Sequence, residues 1–362
     1  MDSPVPGSPS LSLVGRIFDE RYEIRRYLTK GGMGAVYAGA DLQTDRPVAV
    51  KILQEQSQDP LFRRRFFNEA AMCASLTHPN VVQILHYGVT DDRICFIVME
   101  LLEGETLNDL LRRDRRMSPT AALHVVRQVC SALEAAHAKG FVHRDLKPAN
   151  IFVVSPDEGE GPGVKVLDFG LAKRVQVDTS ITQTGVFLGS PSYMSPEQIS
   201  GHEVGPGTDI YNLGLILYRM VTGVNPFQKD SVSATLLAQA THPPPTFAKV
   251  APDLPAMAQV EWVALQCLEK RPESRFRSAV DLARAAEAAL GVLSGEITGL
   301  DMRLEDGTLV LRRPTLPSMV RDVFPAAPPS KVTLFGAGLV LFGTFLVLMG
   351  VLLLGATLFF AS

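Results

Sequence analysis

The sequence predicts an α+β chain of two lobes, strand-rich then helix-rich, followed by one membrane-spanning helix. Three observations carry that expectation: strand-like runs cluster before residue 102, helical periodicity takes over after Ser118, and no charged side chain occurs after Lys331. With 362 residues, 46% hydrophobic and 20% charged, the chain can bury a core, which excludes disordered, collagen-like and mini-protein classes. Its 35 Lys+Arg against 38 Asp+Glu leave no basic excess to neutralise phosphates, so no nucleic-acid partner is expected.

Residues 1–20 are Pro/Ser-rich and read as a flexible tail. The domain expected at 21–290 begins with a lobe at 21–102, with strands at 22–28, 35–40, 47–53 and 94–101 and a helix at 60–76. In the second lobe, 103–290, Ser118 is a good N-cap and Pro119 is tolerated in a first turn. After them Leu123, Val126, Val129, Cys130, Leu133 and His137 recur at helical spacing. Further helices are read at 208–221 and 278–290, and a ligand shared by both lobes belongs in the cleft between them. Pro314, Pro317, Pro325, Pro328 and Pro329 mark 291–331 as a linker. Cys73, Cys95, Cys130 and Cys267 lack metal-ligand spacing and read as buried thiols in a reducing compartment.

Residues 332–361 are apolar or small without a break. About 20 residues cross a hydrocarbon core of about 30 Å, so 332–360 is long enough for a single pass through the cell membrane. Arg312, Arg313, Arg321 and Lys331 flank it against one acid, Asp322, which by the positive-inside rule leaves the N-terminal part cytoplasmic. Gly336, Gly343 and Gly350 recur every seven residues, a seam through which a homodimer would form.

Gly31, Gly32 and Gly34 lie between two strands, where glycine either makes a hairpin turn or lets backbone amides approach a phosphate. The run Val48-Ala49-Val50-Lys51 puts a lysine on the next strand within reach of such a phosphate, and Glu69 on the following helix could pair with Lys51 and aim it. Taken singly, each is a turn glycine, a surface lysine or an exposed glutamate. Farther on stand His143-Arg144-Asp145-Leu146-Lys147-Pro148-Ala149-Asn150 and then Asp168-Phe169-Gly170.

This ordered set resembles the signature of protein kinases, and in detail the bacterial, eukaryotic-type Ser/Thr kinases with a single membrane span. The resemblance covers about 22–290 and includes 189–197, similar to a platform for protein substrates, Asp209 and Arg275. It implies the bilobal kinase fold and transfer of the γ-phosphate of ATP to Ser/Thr hydroxyls of proteins. Asp145 would accept the hydroxyl proton, Lys147 would stabilise the γ-phosphate, Lys51 would steady the α and β phosphates, and Glu69 would orient Lys51. Asn150 and Asp168 would hold Mg²⁺, with Mn²⁺ as the alternative ion. Leu28, Gly31, Gly32, Gly34, Val36 and Ala49 would enclose the nucleotide, with Met99 as gatekeeper and backbone at Glu100 and Leu102 meeting the adenine.

His143 and Phe169 read as packing residues, Glu197 and Arg275 as a buried ion pair, and Asp209 as an anchor of the catalytic loop. Ser190 is similar to the hydroxyl residue that helps position Asp145. Arg144 would read a phosphate on the activation segment, which points to autophosphorylation at Thr182 or Thr184. One departure is Thr29 where the family's loop begins with Gly; a β-branched residue resists unusual backbone angles, so weaker nucleotide binding is expected. The alternative reading is a catalytically silent scaffold at the membrane. Lys51, Glu69, Asp145, Asn150 and Asp168 together argue against it, and 189–197 disfavours a small-molecule kinase.

Overall fold

A computed structural model of the chain describes residues 13–31, 34–53, 60–154, 163–169, 191–298, 300–305 and 307–312. The first lobe is an antiparallel six-stranded sheet in the order β1-β2-β3-β4-β6-β5. Its strands are β1 (Ile17–Phe18), β2 (Tyr22–Gly31), β3 (Gly34–Asp41), β4 (Arg46–Leu53), β5 (Ile84–Val89) and β6 (Cys95–Glu100). One sheet face buries Phe18, Tyr22, Ile24, Tyr37, Val48, Val50, Ile52 and Phe96. On the other face helix α1 (Pro60–Ala74) lays Phe66 and Ala70 against Ile84, Cys95 and Ile97. Because both faces of β4 are covered, it reads as a continuous buried run from Val48 to Ile52 rather than as an alternation.

The second lobe is helical, and its centre is α5 (Pro206–Thr222), which is buried nearly all round, as an interior helix must be. A Cβ at Gly214 of α5 would lie 2.3 Å from the Cβ of Cys267 on α8 (Ala258–Cys267), so only glycine lets these helices meet. Helix α3 (Pro119–His137) opens as the sequence predicts, with Ser118 Oγ accepting from Ala121 N at 3.2 Å. Around them lie α2 (Leu107–Asp114), α4 (Pro196–Ser200), α6 (Val232–Thr241), α7 (Phe247–Val250) and α9 (Ala279–Leu293). A small sheet, β7 (Gly104–Thr106), β8 (Ile151–Val154) and β9 (Gly163–Val166), carries the chain between lobes.

The lobes are joined by more than the covalent connection. Residues 80–83 run alongside β9: Val82 N donates to Val166 O at 3.0 Å and Val166 N to Asn80 O at 2.8 Å. Asn80 Nδ2 also donates to Val164 O at 2.9 Å and to Gln128 Oε1 on α3 at 3.1 Å.

The expectation of a bare linker from residue 291 is corrected at its start. Helix α9 runs to Leu293, and β10 (Asp301–Glu305) pairs antiparallel with β11 (Thr308–Arg312). Leu300 and Met302 are buried in the helical core, with Leu304 and Leu309 packed against it. The physical reason is the alternation of Leu300, Met302 and Leu304, with no proline before Pro314. Among the described residues no helix is long and apolar enough to cross a membrane. The run 332–360, the tail through residue 12, Gly32, Ser190, Thr182 and Thr184 lie outside the described residues.

Candidate active site

Strand register places the first group of side chains. Lys51 on β4 stands opposite Val36 on β3 and Ile97 on β6, while Ala49 stands opposite Ala38 and Met99. Residues directly opposite share a sheet face and alternate residues return to it, so Val36, Ala49, Lys51 and Met99 form one surface. A register shift between Tyr27 and Thr29 leaves Leu28 off the ladder. Thr29 itself pairs with Val36 in extended strand and is exposed, a conformation its β-branch favours. At Gly34 a Cβ would stand 1.8 Å from Ile52 O, so the glycine is required by close passage of β3 over β4.

The loop after α3 supplies the second group. Asp209, buried on α5, accepts His143 N at 2.8 Å and Arg144 N at 2.9 Å, and His137 Nε2 lies 2.8 Å from the same carboxylate. Arg144 is held at φ 65°, a left-handed conformation unusual for a side-chain-bearing residue. His143 Nε2 meets Leu167 O at 2.9 Å while Nδ1 receives Asp145 N at 3.3 Å. A carbonyl only accepts and an amide only donates, so these partners fix the tautomer with the proton on Nε2. The ring packs on Phe169, centroids 4.8 Å apart, in keeping with a packing role for both.

From this anchored backbone Asp145 faces Lys147, whose Nζ donates to Oδ2 at 2.7 Å. Asn150 is buried, and its Nδ2 donates to Asp145 O at 2.8 Å. Leu167 N donates to Asn150 O at 2.8 Å, which brings up Asp168, at φ 55°. There Lys51 Nζ meets Asp168 Oδ1 at 2.6 Å. Hydrogen bonds and one peptide link thus connect Asp145 through Asn150, Leu167 and Asp168 to Lys51 on the opposite lobe.

Glu69 is buried on α1 beside the same cluster. One helical turn on, Cys73 Sγ donates to Phe169 O at 3.0 Å. Burial, and then the charges of Glu69 and Asp168, push the Cys73 thiol up to about 12, against a smaller opposing effect of Lys51. Cys73, Val81, Val82, Ile84, Ile97, Met99, Asp168 and Phe169 line a pocket behind Met99. Glu100 N donates to Gln83 O at 3.1 Å, so a base would not meet Glu100 through its amide, and Leu102 lies partly exposed just past β6. The Glu100 carboxylate is occupied on the far side by Lys165 at 2.6 Å and Gln83 N at 2.8 Å.

Two groups could hold a divalent ion. Asn150 spends its amide nitrogen on Asp145 O, which leaves its Oδ1 as the donor, and Asp168 adds a carboxylate. A short all-oxygen set suits Mg²⁺, which keeps waters and takes the rest of its shell from substrate phosphates; Mn²⁺ accepts the same donors.

Below the loop, Glu197 and Arg275 form a bidentate pair with both bonds at 2.9 Å. Burial pushes the Glu197 carboxyl up, but Arg275 and the Thr208 hydroxyl outweigh it and hold the group below its usual range.

The chain matches the protein kinase domain family over residues 22–285. It belongs to the protein kinase family. This kinase is 39% identical over 280 residues to the serine/threonine-protein kinase PknA of Mycobacterium tuberculosis, covering 76% of this chain and 62% of the relative. To the serine/threonine-protein kinase Pkn1 of Myxococcus xanthus it is 40% identical over 270 residues, 74% of this chain and 38% of the relative. The chain therefore spans less than two thirds of the length of these curated relatives. The crystal structure of the Mycobacterium tuberculosis PknI kinase domain superposes with a TM-score of 0.60 at 28% identity, over 76% of this chain and 98% of that one. The strand-rich and helix-rich lobes are those of the kinase fold, in a family that uses ATP and a divalent metal.

Three residues in contact with these groups escaped the sequence reading: Lys165 beside Glu100, Cys73 at Phe169 O, and Gln198, whose Nε2 donates to Arg144 O at 2.7 Å. Lys165 on β9 carried no motif, and Cys73 looked like any core thiol. Gln198 was legible only as the last residue of a Ser-x-x-Gln helix start.

Proposed function

We propose that this protein is a serine/threonine protein kinase tethered to the cell membrane by 332–360, with its kinase domain in the cytoplasm. The observation that carries the reading is the connected set Asp145, Asn150, Asp168 and Lys51 across the two lobes. In phosphoryl transfer the protein does little covalent work and mainly positions groups and neutralises charge. A substrate Ser or Thr hydroxyl attacks the γ-phosphorus of ATP, the bond to the β,γ-bridging oxygen breaks, and ADP leaves. Asp145 accepts the hydroxyl proton, and Lys147, 2.7 Å from it, faces the transferred group. Lys51 steadies the α and β phosphates. Mg²⁺ held by Asp168 and Asn150 would supply neutralisation of the phosphate charge. Val36, Ala49, Leu28 and Met99 enclose the base, and Glu69 supports Lys51 from α1.

Autophosphorylation at Thr182 or Thr184, read by Arg144, belongs to the same proposal, as does homodimerisation through the glycine seam. The test is transfer of labelled phosphate from Mg²⁺ATP to the chain itself and to a generic basic protein, beside Asp145→Asn and Lys51→Met. Labelled Ser or Thr in the parent, absent in both variants, is the expected result; no transfer by folded parent protein would refute it. Phosphosite mapping that leaves both threonines unmodified in an active sample would refute the autophosphorylation sites. Equal crosslinked dimer yields for the parent and Gly343→Leu would refute the seam.

A further inference from the structure

The residue before Asp145 carries an unusual burden. Arg144 sits at φ 65°, a conformation that costs a side-chain-bearing residue free energy and persists only where neighbours over-determine it. On its amide side the restraint is Asp209, which accepts both His143 N and Arg144 N. On its carbonyl side the restraint comes from another element: Gln198 Nε2, on α4, donates to Arg144 O at 2.7 Å.

The other end of the same amide is also committed. Gln198 Oε1 accepts Ser195 N at 3.0 Å, and Ser195 Oγ caps the helix from below in a reciprocal arrangement. An N–H can only donate and a backbone carbonyl can only accept, so the orientation of the Gln198 amide is dictated by its two partners. A carboxylate offers no donor for Arg144 O, an ammonium no acceptor for Ser195 N, and the Asn amide falls one methylene short. Helix α4 follows the turn at Pro191–Tyr193, so this amide connects the start of α4 to the backbone that carries Asp145.

We infer that Gln198 is a positioning residue for phosphoryl transfer: its side-chain amide clamps the Arg144 carbonyl, holds the left-handed turn, and so aims Asp145 in response to the placement of α4. The inference rests on the kinase reading above. It assigns Gln198 to the turnover step rather than to nucleotide binding, because no atom of the clamp lies on the β-sheet surface that would enclose the base.

The test compares the full chain, in mild detergent, with Gln198→Glu and Gln198→Met in phosphate transfer to a generic basic protein. Gln198→Glu is nearly isosteric, but removes the donor and adds a negative charge facing the Arg144 carbonyl; Gln198→Met removes donor and acceptor without adding charge and keeps the stem. Loss of one well-aligned hydrogen bond to a strained carbonyl should lower kcat about tenfold in both variants, with KM for ATP within about twofold of the parent. The discriminating arm repeats Gln198→Glu in an Arg144→Gly background and compares it with Arg144→Gly alone, so that the loss of the Arg144 guanidinium is common to both. Glycine adopts positive φ without strain, so the clamp should matter less there and the effect of Gln198→Glu should shrink to about threefold or below. Three results would overturn the inference: kcat within about twofold of the parent in both variants, a loss confined to KM, or an undiminished loss in the Arg144→Gly background. A parent chain that transfers nothing would instead overturn the kinase reading itself.

Discussion

Arg275→Met should be among the most destabilising substitutions in the chain. Arg275 is fully buried and makes five hydrogen bonds: two to Glu197 at 2.9 Å, and one each to Glu269 O at 2.8 Å, Gly207 O at 2.8 Å and Lys270 O at 3.0 Å. Methionine fills much of the volume but strands the Glu197 carboxylate, with Thr208 as its remaining side-chain partner, and leaves three carbonyls without this donor. Breaking one side of a buried pair costs about 3–5 kcal/mol. At about 2–4 °C per kcal/mol for a domain of this size, Tm should fall by about 6–20 °C. The pH dependence has a definite sign. The Glu197 carboxyl is held below its ordinary value, so its contribution is present above that value and lost as pH falls through the folded one. In the variant, burial no longer opposed by Arg275 pushes the Glu197 carboxyl above its ordinary value, so protonation removes the stranded charge and the gap between parent and variant should begin to narrow already above about pH 4.5. Thermal unfolding of both proteins from pH 7 to pH 4 measures this. A Tm loss under about 3 °C at pH 7, or a gap that widens with acid, would refute the argument.

Gly34→Ala would place a Cβ 1.8 Å from Ile52 O, so β3 must lift off β4; KM for ATP should rise several-fold, as read by initial rates against ATP concentration. Lys270 lies 3.9 Å from the Phe227 ring centroid, and burial, then the neighbouring Arg275 charge, lower its pKa to about 8 against a raising effect of Glu269. Because the folded value lies below the unfolded one, the folded state is disfavoured at neutral pH and recovers as pH rises above about 8. Lys270→Met removes this titration together with the bond from Lys270 Nζ to Gln239 O at 2.8 Å, so the difference in stability should move in the parent's favour between pH 7 and pH 10.5, as denaturant titrations at the two pH values would report. Met302→Asp would put a charge in the core contact of the β10–β11 hairpin and should lower Tm by several degrees while kcat stays unchanged; an unchanged Tm would show that the hairpin contributes nothing to stability.

The catalytic loop was readable because its chemistry needs fixed residue types at fixed spacing: Asp145, Lys147, Asn150 and Asp168 form a short, ordered string. The helices at α3 and α5 were readable from a cap and a periodicity. Strand β5 was not, since Ile84-Leu85-His86-Tyr87-Gly88-Val89 has neither clean alternation nor a clear turn signal, and its pairing with β6 carries a register shift. The hairpin at 301–312 was masked by the prolines that follow it. The partners of Gln198 and Lys165 were not legible for a different reason, because each bonds across a long sequence separation, to Arg144 and Glu100, and no local pattern encodes a partner so far away.

The seam of residues 80–83 on β9 fixes where the cleft can flex. Residues 80–83 lead into β5 and are bonded to β9 of the helical lobe, so an opening of the cleft would be a swing about the β5 edge of the sheet. The order β1-β2-β3-β4-β6-β5 puts β3 three strands from that pivot, about 14 Å at about 4.8 Å per strand. A swing of about 10° then carries the turn at Gly34 through about 2–3 Å, a hydrogen bond's length, while Ile84 stays nearly still. In such a swing β3 and β4, which carry Gly34, Val36 and Lys51, would travel farther than β5, so a small rotation would be enough to change their distance from a nucleotide in the cleft.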